Sequence, residues 1–489
     1  MSPEIQLRTA RESILPKIED IKKNPPFIEW FELAGVNDYK TLRLENRHCV
    51  KIVAAENGTG KTTLLSALHS ILTFDFAKLS TIDFIYFRLK IRNTKEFIYR
   101  KKDLFAKNYS PKPSKAALEL KDMGVSDGRF RKAMMHIYQN GIESYCASPE
   151  FMHTYYNCPV GRPELVVLFR EAHRLYQMSD ACRELSTKIS KALGNLNILY
   201  LPTFRRIETE ISEIPYGKTR GRLDFGIEID EDAEDNDQLI WFGMSDVENK
   251  LEKFKERIKS TTLSSYSRIS AQSLETLLSP ASKKPNYIFE ISEDFSSKLN
   301  LVLARLGHAG SETEAKIYDL IYSGQINEND YEGLRSHIHQ IISIYATTQA
   351  QEQLIEGFAN VVNSYWALSA IERQTKPEKE FIFDKFALNV SVKNNYNNET
   401  LLLNNLSSGE KQIVAIFAKL YLQQSKNYIV LIDEPELSLA MSWQRKFLID
   451  ILESPSCHQL IAITHSPFIF DNDLDSYAES LKVEYGTVQ

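Results

Sequence analysis

No apolar run in this chain approaches the length needed to cross a bilayer; the longest strand-like one is "YIVLI", Tyr428–Ile432. A secretory leader is missing too, because the opening "MSPEIQLRTARESILPKIED" mixes charges and prolines without an apolar core. These absences set the expectation of a cytoplasmic protein with no membrane role. Cysteine is scarce: Cys49, Cys146, Cys158, Cys182 and Cys457 are scattered, odd in number and without CxxC spacing. That excludes a disulfide framework and a cysteine-based zinc site as expectations and points to reduced thiols. Positive charge is not in excess either. With a net charge of −6, the surface as a whole does not advertise nucleic-acid binding. The basic clusters at Arg100–Lys102, Arg129–Lys132 and Lys218–Arg222 read as solvated faces. Internal repeats and sustained heptads are lacking, which argues against a long coiled coil. The HxH of His337 and His339 lies in a helical stretch without nearby cysteines or a carboxylate array, so it reads as packed or surface histidines rather than a metal site.

What remains is patterned. Three strands are expected in "FIEWFELAG", "KTLRLE" and "CVKIVAAEN", the last an apolar run ending in a glycine-rich turn. A helix follows from Lys61 to about Leu72, then strands near "FIYFRLKIR" and "KEFIYRKK". Pro111 and Pro113 mark a boundary, and the pattern is helical from about 115 to 195. "LNILYLPTFRRIE" reads as a short buried strand ending at Pro202 and two arginines, and the acidic run Asp230–Asp237 as an exposed loop. Ser245 with Glu248 is expected to form a capping box for a charged helix. Further helices fill 296–372, and strands resume at "EFIFDKFALNVSV".

Four elements carry chemistry. In "AENGTGKTT" the amides around Asn57, Gly58, Thr59 and Gly60 can curl into a nest for a phosphate; Lys61 can reach the β- and γ-phosphates of a nucleotide, and Thr62, followed by Thr63, can offer its hydroxyl to Mg²⁺. "YIVLIDEPE" is a buried strand that delivers Asp433 and Glu434 at its end: the first placed to hold Mg²⁺, the second to polarise an attacking water. "LIAITHSPF" is another buried strand, ending at His465, which can bond a γ-phosphate or the lytic water. "LSSGE" places Ser407, Ser408, Gly409 and Glu410 at the head of an amphipathic helix, a second end that attracts anions. Arg205 and Arg206, directly after a buried strand, can meet phosphate or a partner's carboxylate bidentately.

A phosphate loop, then Leu-Ser-Ser-Gly-Glu, then an apolar strand ending in Asp-Glu, then a strand-end histidine is an order that resembles ABC-type ATPase heads, from about Phe27 to Asp103 and from about Phe381 to Asn472. The resemblance implies an α/β fold: a phosphate-loop head of mixed sheet and flanking helices, split by a large, mainly helical insertion. It implies that ATP and Mg²⁺ are bound, and that the signature at Ser407 completes the nucleotide site of a second copy, in a homodimer or a higher even-numbered homo-oligomer. The expected segments are 1–110 and 381–489 for the two parts of the head, 111–195 for a helical insertion, 196–215 for a strand returning to the head, and 216–380 for an acidic loop and helical region. "DEPELSL", the following Trp-Gln and "ITHSPFIFD" look like the soluble OLD-related and SMC-like ATPases, and "YLPTFRRIE" (Tyr200–Glu208) resembles the ATPase subunit of Septu-type anti-phage systems. That closer resemblance implies a separate effector nuclease of HNH type, with nucleic acid reached through that partner. The alternative is an SMC-like DNA-repair or chromosome-associated ATPase that clamps nucleic acid itself. OLD nucleases carry a Toprim domain after the head, and no such segment is expected between His465 and Gln489. Three departures stand out: Ala55 where the loop motif asks for glycine, no glutamine between Thr62 and Gln139, and Ala440 where many relatives carry histidine. They leave two readings of ATP open, as hydrolysed fuel and as a conformational latch.

Overall fold

The computed structural model describes residues 25–54, 56, 58–105, 115–175, 179–202, 244–278, 293–307, 312–423 and 426–486. The expected Asn57, Arg205 and Arg206, Ala55 and the acidic run Asp230–Asp237 lie outside the described residues. The chain divides into two units, Met1–Phe242 with Ser425–Gln489, and Gly243–Gln424. Among the described residues no helix is long and apolar enough to cross a membrane.

The first unit holds two sheets. Strands β1 (Ile28–Val36), β2 (Lys40–Glu45), β3 (Val50–Ala54), β4 (Tyr86–Ile91), β5 (Phe97–Arg100) and β6 (Leu196–Leu201) precede the second unit in sequence. An antiparallel sheet takes β1, β2, β4 and β5. Alternation decides its faces: Phe31 and Leu33 point into the core, while Glu32, on the opposite face, pairs with Arg43 across β2. β3 and β6 belong to a parallel sheet with β10 (Asn427–Asp433), β11 (Cys457–Thr464) and β12 (Ala478–Ser480), in the order β12-β3-β11-β10-β6. Six of the seven residues of β10 are buried, as expected for a parallel strand covered on both faces.

The phosphate-loop helix, Lys61–Leu72, shares one core with both sheets: Leu64, Leu68 and Ile71 join Phe31 and Phe87 from the antiparallel sheet and Leu431 and Ile463 from the parallel one. Each such side chain, fully buried, contributes about 1.5–3 kcal/mol. Gln459, wholly buried in β11, receives the main-chain N–H groups of Phe27 and Ile28 (3.0 and 2.8 Å) and so fixes where β1 starts. The helices from Lys115–Asp122 to Arg162–Leu175 form a core of their own around Leu120, Phe151, Leu165 and Phe169. Ser126 and Ser148 start two of them as N-caps, each accepting the N–H three residues on.

The second unit contains the long helices Met244–Leu278 and Glu332–Glu372, the three strands β7 (Lys379–Asp384), β8 (Asn389–Asn394) and β9 (Thr400–Leu401), and the signature helix Ser408–Tyr421. The first of these helices already includes Met244, so Ser245 sits inside its first turn rather than at the cap. β13 (Lys482–Tyr485) returns to the antiparallel sheet of the first unit, beside β2. The result is an α/β architecture of mixed sheet composition, split in sequence by a large and mainly helical insertion.

Candidate nucleotide site

Because β3, β11, β10 and β6 run parallel, their C-terminal ends open on one edge, where ligands of open α/β sheets gather. The loop after β3 reaches the helix at Lys61 through two left-handed glycines, Gly58 (φ 79°) and Gly60 (φ 101°). Gly60 has a packing reason as well, since a Cβ built there would lie 2.8 Å from Leu42 Cδ1. Gly60→Ala is therefore expected to cost roughly 1–3 kcal/mol of stability and to spoil the loop. An unchanged urea midpoint would show that this backbone turn is not needed. The loop is tied in two further places: Thr59 Oγ1 donates to Glu56 O (2.9 Å), and Lys40 Nζ to Gly58 O (3.2 Å). Thr62 and Thr63 follow on the first helical turn, both half-buried.

Lys61 is 5% exposed and meets chemistry from two other strands. Its Nζ lies 3.0 Å from Nδ1 of His465 and also contacts Nε2 of that ring. Burial pushes the lysine below its ordinary pKa, while Glu434, Asp433 and Glu436 pull the other way. Asp433 closes β10 at 1% exposure. The next residue, Glu434, turns left-handed (φ 52°), an unusual place for a non-glycine residue. Its N–H still donates to Ile463 O (2.8 Å), so the turn starts while the chain is held to β11, and its carboxylate Oε1 comes to 3.7 Å from His465 Nε2.

One carboxylate at this edge escaped sequence reasoning. Glu436 accepts from Thr464 Oγ1 (2.7 Å), His465 N (2.7 Å) and Ser466 N (3.2 Å). The signal was a third acid in "DEPE", but its partners lie 28 to 30 residues away in sequence. Gln444 completes the seam: its Oε1 accepts from Ser466 Oγ (2.7 Å) and its Nε2 donates to Leu439 O (3.0 Å).

Lys61, Asp433, Glu434 and His465 thus come together in the first unit, and the signature residues lie in the second. Ser407 is the N-cap of its helix. Its Oγ accepts from Glu410 N (3.4 Å), and Glu410 Oε2 accepts from Ser407 N (2.8 Å), a reciprocal capping box. Both Glu410 oxygens also meet Lys379 Nζ at 2.9 Å. Glu410 is therefore turned to its own chain and buried, whereas Ser407 and Ser408 are exposed. The Ser407 hydroxyl keeps its hydrogen for an outside acceptor.

The donor set suits Mg²⁺. A threonine hydroxyl and an aspartate carboxylate are oxygen ligands for a hard ion that takes the rest of its shell from water and phosphate. Among the described residues, no group of three or more His, Cys, Asp or Glu could hold a metal by itself.

Comparison with known proteins gives one family. The model AAA_21, described as "AAA domain, putative AbiEii toxin, Type IV TA system", matches residues 193–471, more than half of the 489. The match takes in the signature helix, β10 and His465; the phosphate loop precedes it and rests on its own geometry. No curated protein matches the chain. Among solved structures, the chain is similar to an Smc head domain with an extended coiled coil, bound to the C-terminal domain of ScpA and derived from Pyrococcus furiosus; identity is 14%, coverage 94% of this chain and 96% of that one, and the TM-score 0.31. It is also similar to an SmcHead bound to the C-winged helix domain of ScpA, at 10% identity, 95% and 99% coverage and a TM-score of 0.29.

Proposed function

We propose, for a chain that belongs to the AAA_21 family, that its ATPase domain binds and slowly hydrolyses ATP with Mg²⁺, and that two copies close head to tail around shared nucleotides. The observation that carries this reading is the convergence of Lys61, Asp433, Glu434 and His465 at one edge of the parallel sheet. Lys61 supplies a buried cation, which gains most from a phosphate partner because its own burial disfavours the charge. Phosphate oxygens would take the place that the His465 ring holds against Nζ, freeing the ring to meet the γ-phosphate or the lytic water. Glu434 then acts as general base on that water. Thr62 and Asp433 would hold Mg²⁺, which when bound supplies charge neutralisation on the phosphates. Ser407 would donate its hydroxyl hydrogen, with the amides of Ser408 and Gly409, to the γ-phosphate on a second copy.

We read the closed dimer as a regulator of a separate effector, a nuclease of HNH type if the Septu resemblance holds, acting in the cytoplasm in anti-phage defence. The resemblance at Tyr200–Glu208 is the support for that assignment. Arg205 belongs to the same stretch and is proposed to meet phosphate.

Lys61→Ala tests the reading. Losing a charge-assisted contact to phosphate should cost about 1.5–3 kcal/mol, roughly ten- to a hundred-fold in ATP affinity by calorimetry. Unchanged affinity would sink the nucleotide site. The regulatory half is tested by co-purification with neighbouring gene products: a nuclease should accompany the wild-type chain and change its activity with ATP, and should lose that response with Lys61→Ala.

A further inference from the structure

We infer that Glu436 is a positioning residue for hydrolysis, acting through His465. Its carboxylate accepts from three donors: the Thr464 hydroxyl and the main-chain N–H groups of His465 and Ser466. Two of those bonds, at 2.7 Å, fall on Thr464 and on His465 itself, so the acid fixes the backbone from which the imidazole projects. The same acid sits two residues beyond Glu434. One short loop therefore carries the proposed base at one end and the clamp on its histidine neighbour at the other, and the 3.7 Å separation of Glu434 Oε1 and His465 Nε2 is held by residues of that loop.

The loop is stiff where this matters. Glu434 and Ser438 both adopt left-handed backbone (φ 52° and 70°). Glu434 N is tied to Ile463 O, and Gln444 bonds Leu439 O on one side and Ser466 Oγ on the other. The chain after β11 is thus tied to the chain after β10 by Glu436 and by Gln444.

The chemistry of the three donors dictates the residue type. Oε1 takes both main-chain N–H groups and Oε2 meets the Thr464 hydroxyl, so the residue must offer an acceptor oxygen to the two N–H groups. Methionine, close to glutamate in size but without an oxygen, is for that reason no substitute, whereas glutamine can keep its oxygen on the N–H groups and turn its NH₂ to the hydroxyl oxygen. A shift of about 1 Å in the imidazole is enough to cost catalysis heavily without touching the phosphate loop.

The inference rests on the hydrolytic reading above and is tested by a cycle of Glu436→Met, His465→Ala and the double variant in the full chain, with Glu436→Gln as the conservative control. Glu436→Met is expected to lower kcat about ten- to a hundred-fold, and Glu436→Gln to stay near wild type. ATP affinity, set by Lys61 and the loop glycines, should stay within about threefold of wild type. In the His465→Ala background, Glu436→Met should add little, because the group it positions is gone. Amide hydrogen exchange at His465 and Ser466 should rise in Glu436→Met. Additive losses in the cycle, or equal losses of kcat and ATP affinity, would overturn the positioning role and leave the ATPase reading standing. A wild-type chain that binds no ATP would overturn both.

Discussion

Glu434→Gln is expected to lower ATP turnover by about 10²- to 10⁴-fold while ATP stays bound, the range that a general base contributes. The residue emerges from β10 in left-handed backbone, so its side chain leaves the strand direction at the open edge of the sheet. Its carboxylate is about one-quarter exposed and stands 3.7 Å from His465 Nε2, beside the buried ammonium of Lys61. Glutamine keeps the length and hydrogen-bonding shape but cannot accept a proton. The ground-state contacts to phosphate belong to Lys61 and the loop, so affinity should hold and the ATP-bound dimer should accumulate. Light scattering with and without ATP would show it as a doubling of mass. Undiminished hydrolysis would transfer the base role to His465, whose ring contacts Lys61 Nζ.

The parts of this arrangement that were legible in the sequence are those set by local pattern. β10 reads as a buried parallel strand because "YIVLID" is continuous apolar residue followed by an acid, and all six are buried. The signature helix is legible from the small polar residues at its head and from the apolar face behind them, while the capping box of Ser407 and Glu410 is seen in the structure. What was not legible depends on distant partners. Glu436 is held by main-chain N–H groups just after β11, and Glu410 is occupied by Lys379, 31 residues upstream. Sequence cannot distinguish a carboxylate aimed at solvent from one clamped on a backbone. The edge strands β12 and β13 were missed for another reason. "AES" and "KVEY" are short and polar, and they gain order only by pairing with β3 and β2. The first turn of the Met244–Leu278 helix shows the ordinary one-residue uncertainty of a boundary read from a capping pattern.

Mixing Lys61→Ala chains with Ser407→Arg chains should restore hydrolysis that neither shows alone. Ser407→Arg leaves each chain its own Lys61, Asp433, Glu434 and His465, which come together in the first unit. Nucleotide binding by the single chain should therefore survive. A guanidinium at the exposed first turn removes the N-cap hydroxyl, whose oxygen caps Glu410 N, and it fills the approach to the helix end. Loss of the cap alone costs about 0.5–2 kcal/mol, which a helix with eleven buried residues tolerates. The main effect should be on closure around a second copy. In a mixed dimer, one site combines the faulty phosphate loop with the faulty signature, and the other combines two intact parts. If one intact site suffices, activity rises with mixing toward a maximum near equal amounts, because that ratio gives most mixed dimers. A signature acting within its own chain predicts no recovery at any ratio, as every chain then holds a broken site. Hydrolysis at wild-type rate by a stable monomer would contradict the shared site directly.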